Sequence, residues 1–130
     1  MNKKQLILTL SLVLTYLLIG CSVVTKSVST TNKDKHYITD VDSHGNVIIG
    51  SISKDQSPNL KVGQTLRVQF GNGKEITCPL VVDYGDVPKG EYLARFDRDD
   101  GILKFAVNEG SIVKKLELTK DMQINIDIDK

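Results

Sequence analysis

Leu66-Arg67-Val68-Gln69-Phe70-Gly71-Asn72-Gly73-Lys74-Glu75-Ile76-Thr77-Cys78-Pro79-Leu80-Val81-Val82 is the stretch that decides the fold. Leu66, Val68 and Phe70 alternate with Arg67 and Gln69, which places the apolar side chains on one face of a strand. A second β-rich run begins at Glu75. Between the two lies Gly71-Asn72-Gly73, and both residue types accept the positive φ that a tight hairpin demands. The stretch therefore predicts two antiparallel strands with one buried face.

The same period of two extends outward in both directions. Tyr37 to Asp42 alternates weakly, and Val47 to Ile52 is apolar and β-branched. Tyr92 to Phe96 and Ile102 to Val107 follow, and Ile124 to Ile128 alternates strictly with Asn and Asp. Ser43-His44-Gly45-Asn46, Pro88-Lys89-Gly90 and Asp99-Asp100-Gly101 punctuate these runs as turns. One segment departs from the pattern: Ser111 to Leu118 sets Ile112, Val113 and Leu116 on one face, which predicts a short helix with Ser111 as N-cap. Leu60 to Val68 and Leu118 to Ile126 also echo each other, each an apolar anchor, a turn ending at Gly63 or Asp121, then an alternating strand. The expected fold is all-β, a small six- to seven-stranded barrel or sandwich with one short helix.

The N-terminus reads differently. Lys3 and Lys4 precede an apolar run from Leu6 to Ile19, interrupted only by Thr9, Ser11 and Thr15. Such a run is short for a membrane-spanning helix and suits the apolar region of an export signal. It ends in Leu18-Ile19-Gly20-Cys21, the pattern of a bacterial lipoprotein box. There the thiol accepts a diacylglyceryl group and the chain is cut before the Cys, and two or more acyl chains hold a protein stably on a membrane. The expected organisation is a removed signal peptide at 1–20, an acylated Cys21 with a flexible linker through residue 35, and a β-barrel domain at 36–130. The expected location is the bacterial cell membrane or outer membrane.

Charge sharpens this division. Residues 22–35 carry three Lys against one Asp, whereas residues 36–130 carry 12 Lys+Arg against 15 Asp+Glu. A weakly acidic domain on a weakly basic tether does not suit nucleic acid. With Cys21 acylated, Cys78 is the one remaining thiol, so an internal disulfide is excluded. Cys78 lies in an apolar run with no His, Lys or Arg within three residues, which predicts a buried, inert thiol. His36 and His44 have no second ligand pair, and Asp83, Asp86, Asp97, Asp99 and Asp100 lack the alternating spacing of a calcium loop, so they read as a solvated acidic rim. No phosphate loop, nucleophile elbow or zinc-protease helix occurs. No metal and no cofactor are expected.

Four segments in order carry a family resemblance. Asp42-Ser43-His44-Gly45-Asn46-Val47-Ile48 resembles a D-x-F-G-N-[LV]-[IV] segment. Leu60 to Val68 resembles L-x-x-G-D-x-[LV]-x-V, and Tyr84 to Glu91 resembles [TY]-[YF]-x-D-V-P-x-G-E. Asp100 to Ser111 resembles [SD]-x-G-x-L-E-I-A-V-N-x-G-S. Together they are similar to the C-terminal domain of the S-adenosylmethionine hydroxide adenosyltransferase family, which includes fluorinase and chlorinase. The resemblance covers about residues 38–129 and implies a small β-barrel. In that family a larger N-terminal α/β domain supplies the reacting groups, so the resemblance implies a chain without catalytic residues of its own.

The resemblance also implies a site. S-adenosylmethionine there lies between the N-domain of one subunit and the C-domain of its neighbour. Asn46 and Asn108 match family asparagines, and Glu109-Gly110-Ser111 matches a purine-facing turn, giving Asn46, Asn108, Gly110 and Ser111 as candidate ligand contacts. An Asn amide offers the paired donor and acceptor that suit an adenine edge. Backbone N–H groups at the Ser111 helix start offer donors to an electron-rich atom. The same Asn and Gly residues equally suit plain turns. His44 stands where the family carries Phe, and Asp99 and Asp100 stand where halogenating members carry Ser and Arg for the substrate carboxylate. The expected function is a lipid-anchored, non-catalytic envelope module that binds a protein partner or small ligand. The alternatives are an adenosine- or S-adenosylmethionine-binding domain, or a hydrolase subunit completed by a separate N-terminal domain.

Overall fold

The computed structural model describes residues 34–129. The expected signal peptide, the expected acylation site Cys21 and most of the expected linker lie outside the described residues. Eight short strands form one sheet: β1 (His36–Tyr37), β2 (Asp40–Val41), β3 (Val47–Ser53), β4 (Thr65–Phe70), β5 (Glu75–Val81), β6 (Tyr92–Phe96), β7 (Ile102–Val107) and β8 (Gln123–Ile128). One helix, α1 (Ile112–Leu116), lies between β7 and β8. The all-β barrel-like fold with one short helix among the described residues is as expected, but it has eight strands rather than six or seven, because the His36–Val41 segment divides into β1 and β2.

The strand order is β1-β8-β4-β5-β6-β7-β3-β2. Its two ends, β1 and β2, are halves of one segment, His36 to Val41. The hydrogen bonds change sides at its middle: the Ile38 N–H donates to the Met122 carbonyl and the Thr39 N–H to the Ile48 carbonyl, both at 2.9 Å. The two edges of the sheet therefore meet on one strand, which curls the sheet toward closure and shields its edges. This explains the weak alternation there, because no single face of the segment stays buried along its length.

The hairpin that decides the fold forms as expected. Leu66 pairs with Cys78 and Val68 with Ile76 across β4–β5, and Gly73 turns the chain at φ +86°. Asn72 at its tip donates to the Leu116 carbonyl at 2.8 Å, so the hairpin caps the end of α1. The internal echo has a structural counterpart. Gly63 and Asp121, at matching places, both take left-handed backbone (φ +98° and +68°), and the strands they introduce, β4 and β8, pair with each other.

Alternate residues of the strands fill the interior: Val47, Ile49, Leu66, Val68, Leu80, Leu103, Phe105 and Ile124 are fully buried, with Ile112 beneath the helix. Cys78 belongs to this core, where burial pushes its thiol up to about 12. β5 and β6 run parallel, with Leu80 against Ala94 and Val81 against Arg95. Parallel neighbours need a crossover rather than a hairpin. Residues 82–91 supply it, with a 3-10 turn at Tyr84–Asp86 that strand periodicity did not predict. A second, small cluster of Val87, Leu93 and Ala106, with Val81 and Tyr84 packed on it, forms here. Leu93, Ala94 and Arg95 are consequently all buried, so β6 is covered on both faces.

Candidate functional site

The site grows from the β2–β3 turn. Asp42 organises it: its Oδ1 accepts from the backbone N–H of His44 at 2.9 Å and of Asn46 at 3.0 Å. Its Oδ2 accepts from Asn46 Nδ2 at 3.0 Å. A carboxylate only accepts, so this bond fixes the Asn46 amide with its nitrogen toward Asp42. The same Nδ2 reaches the Tyr84 hydroxyl at 3.3 Å, tying the turn to the crossover. These bonds use the Asn46 nitrogen and leave its side-chain carbonyl oxygen, at the pocket wall, to act as an acceptor.

Gly45 presses this turn onto the start of α1. It sits at φ +78°, and a Cβ there would lie 2.0 Å from Ser111 Oγ. Its carbonyl accepts from the Val113 N–H at 3.2 Å, and Ser111 Oγ accepts from the Lys114 N–H at 3.3 Å. Two amides at the helix start are thus engaged within the protein, although the helix and its Ser111 cap form as predicted. Glu109, before Gly110, adopts left-handed backbone (φ +56°), which turns the β7–α1 connection toward the β2–β3 turn.

Together these segments line an open pocket of about 550 Å³, walled by His44, Asn46, Tyr84, Val107, Glu109, Gly110 and Ser111. The structure therefore brings together three of the four expected contacts, Asn46, Gly110 and Ser111. Asn108 stands apart: its amide donates to the Val87 carbonyl at 2.8 Å, and its backbone exchanges bonds with Gly90 and Glu91. It fastens the crossover to β7. Lys89 pairs with Glu109 at 2.8 Å on the rim.

Behind the pocket lies a charged network that motif reading missed. Lys104, on the outer face of β7, reaches Asp97 at 2.7 Å and Asp42 at 3.9 Å. The hydrogen bond from Lys104 holds the Asp97 carboxyl below its usual range, and the Asp97 bond holds Lys104 above its own. Burial pushes Asp42 upward, but hydrogen bonds from Asn46 and His44 and the charge of Lys104 outweigh it and hold the carboxyl low. Arg95, directly across from Lys104, stacks its guanidinium 4.7 Å from the centroid of the Tyr84 ring. The available signal was a cation inside each of two apolar strands: Arg95 between Ala94 and Phe96, and Lys104 between Leu103 and Phe105. Among the described residues no group of three or more His, Cys, Asp and Glu is placed to hold a metal ion.

Comparison with known proteins settles the family. A model described as the SAM hydroxide adenosyltransferase C-terminal domain matches residues 36–125. The chain belongs to that family. A crystal structure of an uncharacterized conserved protein from Thermotoga maritima resembles it with a TM-score of 0.65 and 30% identity, over 74% of this chain and 36% of that one. A conserved hypothetical protein from Thermus thermophilus shares the fold at a TM-score of 0.53 and 22% identity, over 72% of this chain and 34% of that one. The chain thus spans about a third of each of these proteins. No curated protein matches it.

Proposed function

We propose that this SAM hydroxide adenosyltransferase C-terminal domain is a lipid-anchored, non-catalytic binding module of the bacterial envelope, whose pocket takes an adenosine-type ligand. One observation carries the ligand reading: the 42–46 turn and the 109–111 turn, far apart in sequence, converge on one concave pocket with a pre-oriented Asn46. Tyr84 offers an aromatic wall, Val107 an apolar one, and the Asn46 carbonyl oxygen an acceptor for an exocyclic amine. A concave site with a few fixed polar groups suits a small molecule better than a flat protein surface. The anchoring rests on the Leu18-Ile19-Gly20-Cys21 pattern after its charged and apolar leader.

Calorimetry of the domain with adenosine and S-adenosylmethionine tests the ligand reading. Binding is expected, weakened by His44→Ala, an exposed change at the pocket lip, and weakened further by Asn46→Ala. Flat titrations at millimolar ligand overturn it and leave a protein partner as the function. Anchoring predicts that the mature protein sediments with membranes, whereas Cys21→Ala is soluble or remains an uncut precursor. Unacylated mature protein in the soluble fraction sinks that part.

The second reading is a hydrolase subunit completed by a separate N-terminal domain. It is favoured by the match of residues 36–125 to the C-terminal domain of that family. Adenosine release from S-adenosylmethionine by the purified domain alone, lost in Asn46→Ala, contradicts the non-catalytic assignment.

A further inference from the structure

Arg95 is an anomaly in a domain whose other buried polar side-chain atoms are satisfied. The residue is 7% exposed, yet among the described residues its Nε is the one buried side-chain nitrogen or oxygen without a hydrogen-bond partner. Its guanidinium lies instead on the face of the Tyr84 ring, which accepts no conventional hydrogen bond. Acids nearby do not serve it: Asp42 and Asp97 both turn to Lys104, and Asp83 pairs with Arg98. A guanidinium carries five N–H donors in a planar fork that matches an oxyanion. Burying its Nε–H without an acceptor is costly unless something supplies one.

The group that covers Arg95 is itself a wall of the pocket. Tyr84 lines that pocket, with the guanidinium on its ring. The ring sits on a three-residue 3-10 turn and packs on Val87, Leu93 and Ala106, with its hydroxyl in one long bond of 3.3 Å, so turning it aside exchanges those contacts for the bond an oxyanion makes to Arg95. We propose that Arg95 is an oxyanion anchor for this pocket. With Tyr84 rotated off it, the guanidinium meets a phosphate or carboxylate borne by the ligand, and its Nε–H gains the acceptor it lacks. This rests on the adenosine-type reading above and narrows it to ligands with an anionic substituent.

Two experiments separate the two ideas. In the first, Tyr84→Ala uncovers the guanidinium, and inorganic phosphate is titrated into the domain by calorimetry. Tyr84→Ala should bind phosphate at least tenfold more tightly than the wild-type domain, and Tyr84→Ala/Arg95→Gln should lose that gain. Equal phosphate binding by all three, with native circular dichroism, overturns the anchor and leaves the adenosine reading intact. In the second, the wild-type domain is titrated with adenosine, adenosine monophosphate and S-adenosylhomocysteine. A tenfold or greater preference for the monophosphate, abolished in Arg95→Gln, assigns the anchor to phosphate. The same preference for S-adenosylhomocysteine assigns it to carboxylate. Adenosine binding as tightly as both overturns the anchor. If Tyr84→Ala gains phosphate through Arg95 while no adenosine compound binds, the anchor stands and the adenosine reading falls.

Discussion

β7 presents two environments on opposite faces of one strand. Leu103 and Phe105 point into the barrel and are fully buried in its apolar core. Lys104, one residue away, points outward into a network with Asp97 and Asp42, beside Arg95 and Tyr84. Inside, contacts are non-directional and many residues share the load. Outside, each polar atom depends on a particular partner, and one nitrogen has none. The interior makes the fold, and the outer face with its crossover makes the site.

The largest expected effect tests the interior. Phe105 is fully buried, so Phe105→Ala should cost about 3–5 kcal/mol. A domain of this size has about 5–15 kcal/mol in all. Urea unfolding of a Cys21→Ser form measures it, with thiol labelling of Cys78 as a second probe. Burial pushes that thiol up to about 12, so labelling at neutral pH should report opening of the core. If Phe105→Ala costs no more than Lys104→Met on the outer face, the division between the two faces fails.

A smaller effect is expected where the two regions meet. Gly45→Ala places a Cβ at 2.0 Å from Ser111 Oγ and forces a side chain onto φ +78°. Left-handed strain alone costs about 1–3 kcal/mol. The β2–β3 turn should lift off α1, opening the pocket while the barrel persists. Amide shift changes confined to residues 42–46 and 109–116 support this; changes spreading through β4 and β5 break it.

These two positions also show what the sequence could reveal. Phe105 was legible as core because period two survives wherever one face of a strand is buried, as it does through β4, β5 and the first half of β7. Gly45 was legible as a turn residue, but its contact with Ser111 links residues far apart in the chain, which periodicity cannot report. The parallel β5–β6 pairing and its crossover were hidden for the same reason, and with them Tyr84, the pocket's aromatic wall. Asn46, Gly110 and Ser111 were reached through the family pattern; Asn108 shares that pattern but serves the crossover. Arg95 and Lys104 were visible only as charges interrupting apolar runs, and their chemistry emerged once Asp42, Asp97 and Tyr84 surrounded them.

The smallest effect separates the two faces by pH. Asp97 and Asp42 have carboxyl groups held below the usual range in the folded state, with the Lys104 hydrogen bond leading for Asp97. Their unfolded counterparts titrate near 4, at about 3.9. A depressed folded value means that the unfolded chain binds protons first as pH falls, so these groups stabilise the fold above about pH 4. That stability drains away as pH drops through the folded values. Lys104 acts in the opposite sense, since its raised value makes its contribution full below about pH 10 and lost above the folded value. The side chains are only partly shielded from water, so each pair is worth under about 1 kcal/mol. Urea midpoints between pH 3 and 7 should therefore fall on acidification in the wild-type domain and fall less in Lys104→Met, whose Asp97 has lost its main partner. Phe105→Ala, though far less stable, should keep the wild-type slope, because nothing inside the barrel titrates in that range. A slope that flattens in Phe105→Ala and not in Lys104→Met would place the acid-sensitive groups on the wrong face.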